Sequence, residues 1–388
     1  MDKKDIAGIR RQLKVDNDLL KISDIFNVYI MKETTDIYHH QTQPFEMLNR
    51  EQQELFMENF KKVLTGQLDE KLFELKFQRD AENSSQLILH KGLLSSDTED
   101  WKEQMLHMTQ KMIEDHPYEK DVVITFIRAE YLKPTKRRNE ETEESDRDAV
   151  YSNPFILCSI NKTEEPKKEM QFDYIEKEFK YKIETDPVID LKNPMSGFLF
   201  PSITEGTSDV NRVLYAAGKA NEPDYRFIEE VLNGEDIMTA KEDKAVFEEV
   251  IKDVVGDQVT PSTLANVYGE INRVVEENED ETPPTLDYKD VERVLTQSGE
   301  QVDSEYVKTA FQRATDNETH ELKASSIVPK YNSKSIKINT KIANISISPQ
   351  DLEYVRQVNH KGKRCIMIEV DEDAEVDGFK MLPEAFNE

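Results

Sequence analysis

Seven cations near the end of the chain have the types and spacing to contact phosphate: Lys334, Lys337, Lys341, Arg356, Lys361, Lys363 and Arg364. They lie within residues 323–364, which carry nine basic and two acidic residues, a net of +7. The whole chain has a net charge of -28 over 388 residues, and residues 235–320 alone carry 22 acidic and eight basic, a net of -14. Charge separated in this way is built to meet something charged. The partner is either a nucleic acid, whose phosphates Lys and Arg would neutralise, or the acidic stretch of the same or a second copy of the chain. Tyr331 and Tyr354 add rings able to stack on bases.

A second constellation is Ser202, Thr207, Ser208 and Asp209, on a polar loop between the apolar runs Phe198-Leu199-Phe200 and Val213-Leu214-Tyr215. Hydroxyls and a carboxylate on a loop between core elements can hold a ligand, and more often they cap and turn the backbone. Asp373, Glu375, Asp377, Gly378 and Glu384 match the spacing of a calcium loop. Glu at its third position, a strand leading in and Pro383 before the last ligand mark that match as coincidence in an acid-rich tail. No metal and no cofactor is expected.

Other chemistry is excluded by spacing. The closest two of the 12 glycines are Gly197 and Gly206, so neither a dinucleotide fingerprint nor a P-loop can form. No G-x-S-x-G exists for a nucleophile elbow. The seven histidines have no zinc spacing, and His39 and His40 on an extended segment point to opposite faces. No catalytic residue is nominated. Cys158 and Cys365 sit inside apolar runs and read as buried thiols. The basic triplet Lys136, Arg137 and Arg138 is followed by acids, which makes residues 133–148 a self-neutralising loop.

The elements that must position these residues follow from periodicity. Residues 21–31, 71–77, 122–127 and 155–160 read as strands, the last two as short buried ones. Residues 49–64 predict a helix with Leu55, Phe56, Phe60, Val63 and Leu64 on one face, and residues 101–114 another through Trp101, Met105, Met108, Met112 and Ile113. From Thr239 the pattern becomes helical. Thr239 and Glu242 have capping-box spacing, Thr260-Pro261 is an N-cap followed by Pro, and two more helices carry Val291, Val294, Leu295 and then Tyr306, Val307, Ala310, Phe311. After Leu322 the period becomes two. Ile336, Ile338, Ile342, Ile345 and Ile347 punctuate a polar run, the alternation placing Lys337 on the face opposite Ile336 and Ile338, and His360-Lys361-Gly362 turns a hairpin.

The fold class is therefore α+β. It comprises a mixed domain over residues 1–234, an acidic helical unit over 235–320 and a C-terminal antiparallel β element with a basic face over 321–388. The last is expected to pack back on the first domain, since two or three strands alone are marginally stable. Apolar runs fall short of the ~20 residues that span a bilayer, and residues 1–10 lack the apolar core of a signal peptide, so the expected address is the cytoplasm.

The loop ending in Asp209 and followed by Val213-Leu214-Tyr215 resembles the central signature of an uncharacterised bacterial family, a domain of unknown function. Residues 363–370, Lys-Arg-Cys-Ile-Met-Ile-Glu-Val, resemble that family's C-terminal hairpin. The resemblance covers nearly the whole chain and implies a bacterial cytoplasmic protein without implying an activity. In order of parts, the chain also resembles the bacterial nucleoid-associated protein family, which implies an association with the nucleoid or DNA machinery. The expected function is a non-enzymatic interaction protein acting near nucleic acid, with a protein partner or self-association and no membrane. The alternatives are an acidic DNA-mimic inhibitor or adaptor, and an enzyme with an unrecognised site around Ser202 and Asp209.

Overall fold

Val122, Val123, Ile124, Phe126 and Ile127 leave almost no polar face to turn outward, so a strand built from them needs cover on both sides. The computed structural model supplies it. The structure describes every residue except 80, 82, 115–116, 135–149, 167, 184–185, 205, 257–258, 279–283, 316–319, 329–332, 373, 377–378 and 382–388. The chain divides into two units, Met1–Ile237 and Met238–Glu388, and its class is α+β.

The first unit runs α1 (Lys3–Gln12), β1 (Leu20–Ile30), β2 (Ile37–Pro44), α2 (Arg50–Val63), β3 (Leu72–Lys76), α3 (Ser85–Leu94), α4 (Thr98–Ile113), β4 (Val122–Pro134) and β5 (Val150–Glu164). It continues through β6 (Lys168–Asp173), β7 (Glu178–Ile183), β8 (Val188–Ile189), β9 (Ser196–Phe200), β10 (Ser202–Thr204), β11 (Thr207–Asp209) and β12 (Arg212–Ala217). The main sheet has the order β2-β1-β4-β5-β9-β12-β3, with β8 against the end of β5, and every pairing is antiparallel.

The register explains the apolar runs. Phe26, Phe126, Cys158, Phe198, Tyr215 and Phe73 form one row of paired residues across the sheet. That row faces a core shared with α3, α4 and the helical turn Phe227–Val231. Their neighbours Ile25, Ile127, Leu157, Leu199 and Leu214 form the next row, facing a second core shared with α1 and α2. The sheet is thus the middle of three layers. Asn49 caps α2 with Gln52 in a capping box, and Met57, Phe60 and Val63 are buried. Leu55, expected on that face, is exposed, because it sits about 140° from Phe60 around the helix.

The second unit contains α5 (Ala240–Val255), α6 (Pro261–Glu276), β13 (Thr285–Leu286), α7 (Tyr288–Gln297), α8 (Ser304–Thr315), β14 (Leu322–Lys323) and α9 (Ala324–Ile327). Three hairpins follow: β15 (Ile336–Asn339) with β16 (Asn344–Ile347), β17 (Val355–His360) with β18 (Lys363–Ile368), and β19 (Glu375–Val376) with β20 (Phe379–Lys380). Thr239 and Glu242 form the capping box that starts α5, Gly256 ends it at a φ of 99°, and Thr260 caps α6 before Pro261. Asp287 caps α7. The four long helices share one core around Phe247, Ile271, Leu295 and Phe311.

That core also takes in the C-terminal element. Leu352, on the short turn Pro349–Tyr354 that packs on α6, is buried in it, and Ile336 and Ile347 lie against it. The expected cover was the first domain. Leu352 finds its cover on the helices, and the second and third of the three expected parts share one core.

Two substitutions test these packing arrangements. A Cβ at Gly197 would stand 2.3 Å from the Cys158 carbonyl oxygen and 2.8 Å from Val63 Cγ1. Gly197→Ala is expected to cost about 1–3 kcal/mol by overpacking where α2 meets the sheet, read by chemical denaturation. Leu352→Ala is expected to cost about 2–4 kcal/mol and to raise hydrogen exchange in β15–β18.

Candidate functional site

Strand alternation and the two hairpin turns place the basic residues. In β15–β16, Ile336 pairs Ile347 and Ile338 pairs Ile345, while Lys337 pairs Ser346 on the other face. The isoleucine face turns toward the helices, so Lys337 is exposed, as the alternation predicts. Lys341 lies in the turn that Thr340 closes with hydrogen bonds around Ala343, beside the almost fully exposed Ile342. Lys334 is exposed just before β15.

In β17–β18, Lys361 (φ 49°) and Gly362 (φ 77°) make the two-residue turn, the left-handed pair that suits a tight hairpin. Directly paired residues share a face. Arg356 opposite Met367 and Lys363 opposite His360 therefore lie on one face, and Arg364 opposite Asn359 lies on the other. A single basic face is thus not what this hairpin carries: Lys363 and Arg364 are adjacent, and adjacent strand residues point apart. All seven cations are exposed. Arg356 pairs with Glu369 at 3.3 Å. Among the described residues, Lys334, Lys337, Lys341, Lys361, Lys363 and Arg364 have no ion-pair partner. Tyr354 is half-exposed, and the neighbouring Glu353 carboxylate pushes its phenol up. Lys330, Tyr331 and the triplet Lys136, Arg137 and Arg138 lie outside the described residues, as do Asp373, Asp377, Gly378 and Glu384.

The 202–209 loop is a small hairpin in which Ser202 pairs Asp209 and Thr204 pairs Thr207. Two of the four candidate side chains, Ser208 and Asp209, are engaged. Asp209 accepts from the Asn211 backbone at 2.9 Å and meets Arg212 Nε at 3.3 Å. Ser208 donates to Asn153 Oδ1 at 3.1 Å. Arg212 continues to Glu74 at 2.8 Å. Burial pushes the Glu74 carboxyl up, but the Met1 ammonium and Arg212 outweigh it and hold the group below its usual range. Ser202 is fully buried, its hydroxyl without an acceptor among the described residues, and of the four only Thr207 is exposed. Asp209, through Arg212, ties the loop to β12 and β3.

Cys158 is buried in β5 and Cys365 half-buried in β18. His39 and His40 are exposed on β2. Among the described residues no group of three or more His, Cys, Asp or Glu could hold a metal ion, and no helix is long and apolar enough to cross a membrane.

One titratable cluster has no sequence signature. Lys111 Nζ on α4 donates to Asn83 O at 2.9 Å, Ser85 Oγ at 2.7 Å and Asn233 Oδ1 at 2.7 Å. Burial pushes the amine down to about 8. Ser85 is fully buried and donates to the Val231 carbonyl, so no substrate reaches its hydroxyl. The cluster pins α4 to the start of α3 and to the 231–233 turn. Asn233, one of its acceptors, takes a positive φ of 53° just before Gly234.

The match of a family model over residues 1–379 decides the relationship. The chain belongs to the family described as Domain of unknown function (DUF4317). No curated protein and no solved structure matches significantly. In this DUF4317 chain the family resemblance of the 202–209 loop and of residues 363–370 falls on the small β10–β11 hairpin and on the β17–β18 hairpin respectively.

Lys111 gives a pH prediction. Its folded pKa lies below the ordinary lysine value, so the unfolded chain binds the proton more tightly between pH 8 and about 10.4. Relative to Lys111→Met, the wild type should therefore gain stability as pH rises through that window. The gain is about 1–2 kcal/mol, less than the full shift because the amine is partly screened by solvent, and paired denaturation curves at the two pH values measure it.

Proposed function

We propose that this protein is a non-enzymatic interaction protein of the cell interior whose C-terminal hairpins contact the phosphates of a nucleic acid. The observation that carries the reading is a division of labour within residues 334–364. The element is held to its helices by Leu352, Ile336 and Ile347, while Lys334, Lys337, Lys341, Lys361, Lys363 and Arg364 stand in solvent without an acid partner among the described residues. Had the element existed to neutralise its own acidic helices, those cations would be paired with them. The helices' basic residues do pair locally instead, Arg273 with Glu270 and Glu277, Arg293 with Asp290 and Arg313 with Asp253.

The net charge of -28 opposes any approach to DNA. Screening limits that opposition to about 8 Å at physiological ionic strength, so the local sign at a projecting hairpin decides contact. The two turns carrying Lys341 and Lys361 are the natural points of approach.

Retention of the full chain on duplex DNA should fall steeply with salt. A variant carrying Lys337→Gln, Lys341→Gln, Lys361→Gln and Lys363→Gln should flatten the log–log slope by about 3.6, near 0.9 for each phosphate no longer neutralised. Retention that ignores salt, or a variant that binds as the wild type does, rejects the reading.

A further inference from the structure

The β6–β7 hairpin sets its side chains against the usual rule for a surface arm. Met170 pairs Tyr181 and Phe172 pairs Phe179, so these four lie on one face. None is covered: their exposures are 64%, 57%, 41% and 75%, and Tyr174 and Ile175 at the tip reach 85% and 89%. The arm is nonetheless well formed. Asp173 Oδ1 accepts from the backbone N–H of Ile175 at 2.9 Å and Glu176 at 3.1 Å, and its other oxygen takes Lys180 Nζ at 3.0 Å. Phe172 touches Phe179 and Tyr174, with ring centroids 5.1 and 5.3 Å apart. The result is an ordered apolar face in a chain of mean hydropathy -0.71. Continuous apolar patches of this kind mark interaction sites.

We infer that this face is a docking surface for a second copy of the same chain, two hairpins packing apolar face to apolar face about a two-fold axis. Two observations select that occupant. The first is charge. Residues 168–183 hold four acidic and four basic residues, a net of zero inside a chain of -28. Two copies can meet there without local repulsion, whereas a membrane headgroup layer or a polyanion would call for a basic arm. The second is area. A covered aromatic buries about 150–250 Å², so the four rings weighted by exposure, with Met170 and Ile175, offer about 700–900 Å² per copy. A standard specific interface takes about 800 Å² per partner. An isologous contact of one self-complementary patch is also the commonest way a single chain closes a dimer.

The full chain, followed by sedimentation velocity from low micromolar to about 100 μM, should pass from monomer to dimer. Phe172→Asp with Phe179→Asp should weaken the dimer by at least about 100-fold while leaving the circular-dichroism melt unchanged, since both rings are exposed. Gln171→Glu, on the opposite face, should leave it intact. Hydrogen exchange over residues 168–183 should slow with concentration in the wild type and not in the double variant. A chain that stays monomeric throughout overturns the inference. So does a dimer indifferent to the double variant, an arm protected equally at all concentrations, or a monomer whose arm instead binds neutral lipid vesicles.

Discussion

An antiparallel sheet covered on both faces is the constraint on which the first unit rests. Because Phe26, Phe126, Cys158, Phe198, Tyr215 and Phe73 lie in one paired row and their chain neighbours in the next, neither face has room for water. Several polar groups inside this sandwich are paired in place. Arg128 meets its cross-strand partner Asp24 at 3.1 Å, donates to the Ser95 carbonyl at 2.7 Å and lies over the Trp101 ring. Asn59 on α2 reaches Asn161 at 2.7 Å and the Leu191 carbonyl at 2.8 Å. Each of these ties a helix or loop to a strand where a free polar group would cost about 1–3 kcal/mol.

The second unit solves a different problem. Its strands come in pairs too small to be stable alone, and they gain stability from the helical core through Leu352 and the isoleucine face of β15–β16. Apolar anchoring has an electrostatic consequence. It lets a cationic element sit in an acidic unit without committing its charges to ion pairs, which at the surface would contribute little in any case. The same residues thus settle where the element is held without using its cations.

Much of this was legible in the sequence. The capping box at Thr239, the Thr260-Pro261 start of α6 and the stripes of α4 and α5 through α8 are local signals, and the structure follows them. The α3 helix carries no such signal because its Ile88, Leu89 and Gly92 are buried while Leu87 and Leu94 are exposed, which blurs any single stripe. The β6–β7 arm hides for another reason: its turn has no glycine, and Lys177 takes the positive φ of 54° that would ordinarily announce one. At the 202–209 loop, composition allows a ligand and more often means a capped turn. The register adds what composition does not show, an Arg212 set between Asp209 and Glu74. The split of Lys363 and Arg364 to opposite faces follows from strand geometry, but the summed charge of the segment conceals it.

Charge patterning links the two surfaces. A chain of -28 meets another copy of itself, or a polyanion, against its own field. Self-contact is easiest where the local charge vanishes and apolar area is exposed together, and residues 168–183 meet both conditions. Polyanion contact is easiest where cations outnumber acids over a span comparable to the screening length, and the turns at Lys341 and Lys361 meet that one. On the two proposed contacts, the excess acid elsewhere raises the cost for a like-charged partner of approaching any other surface.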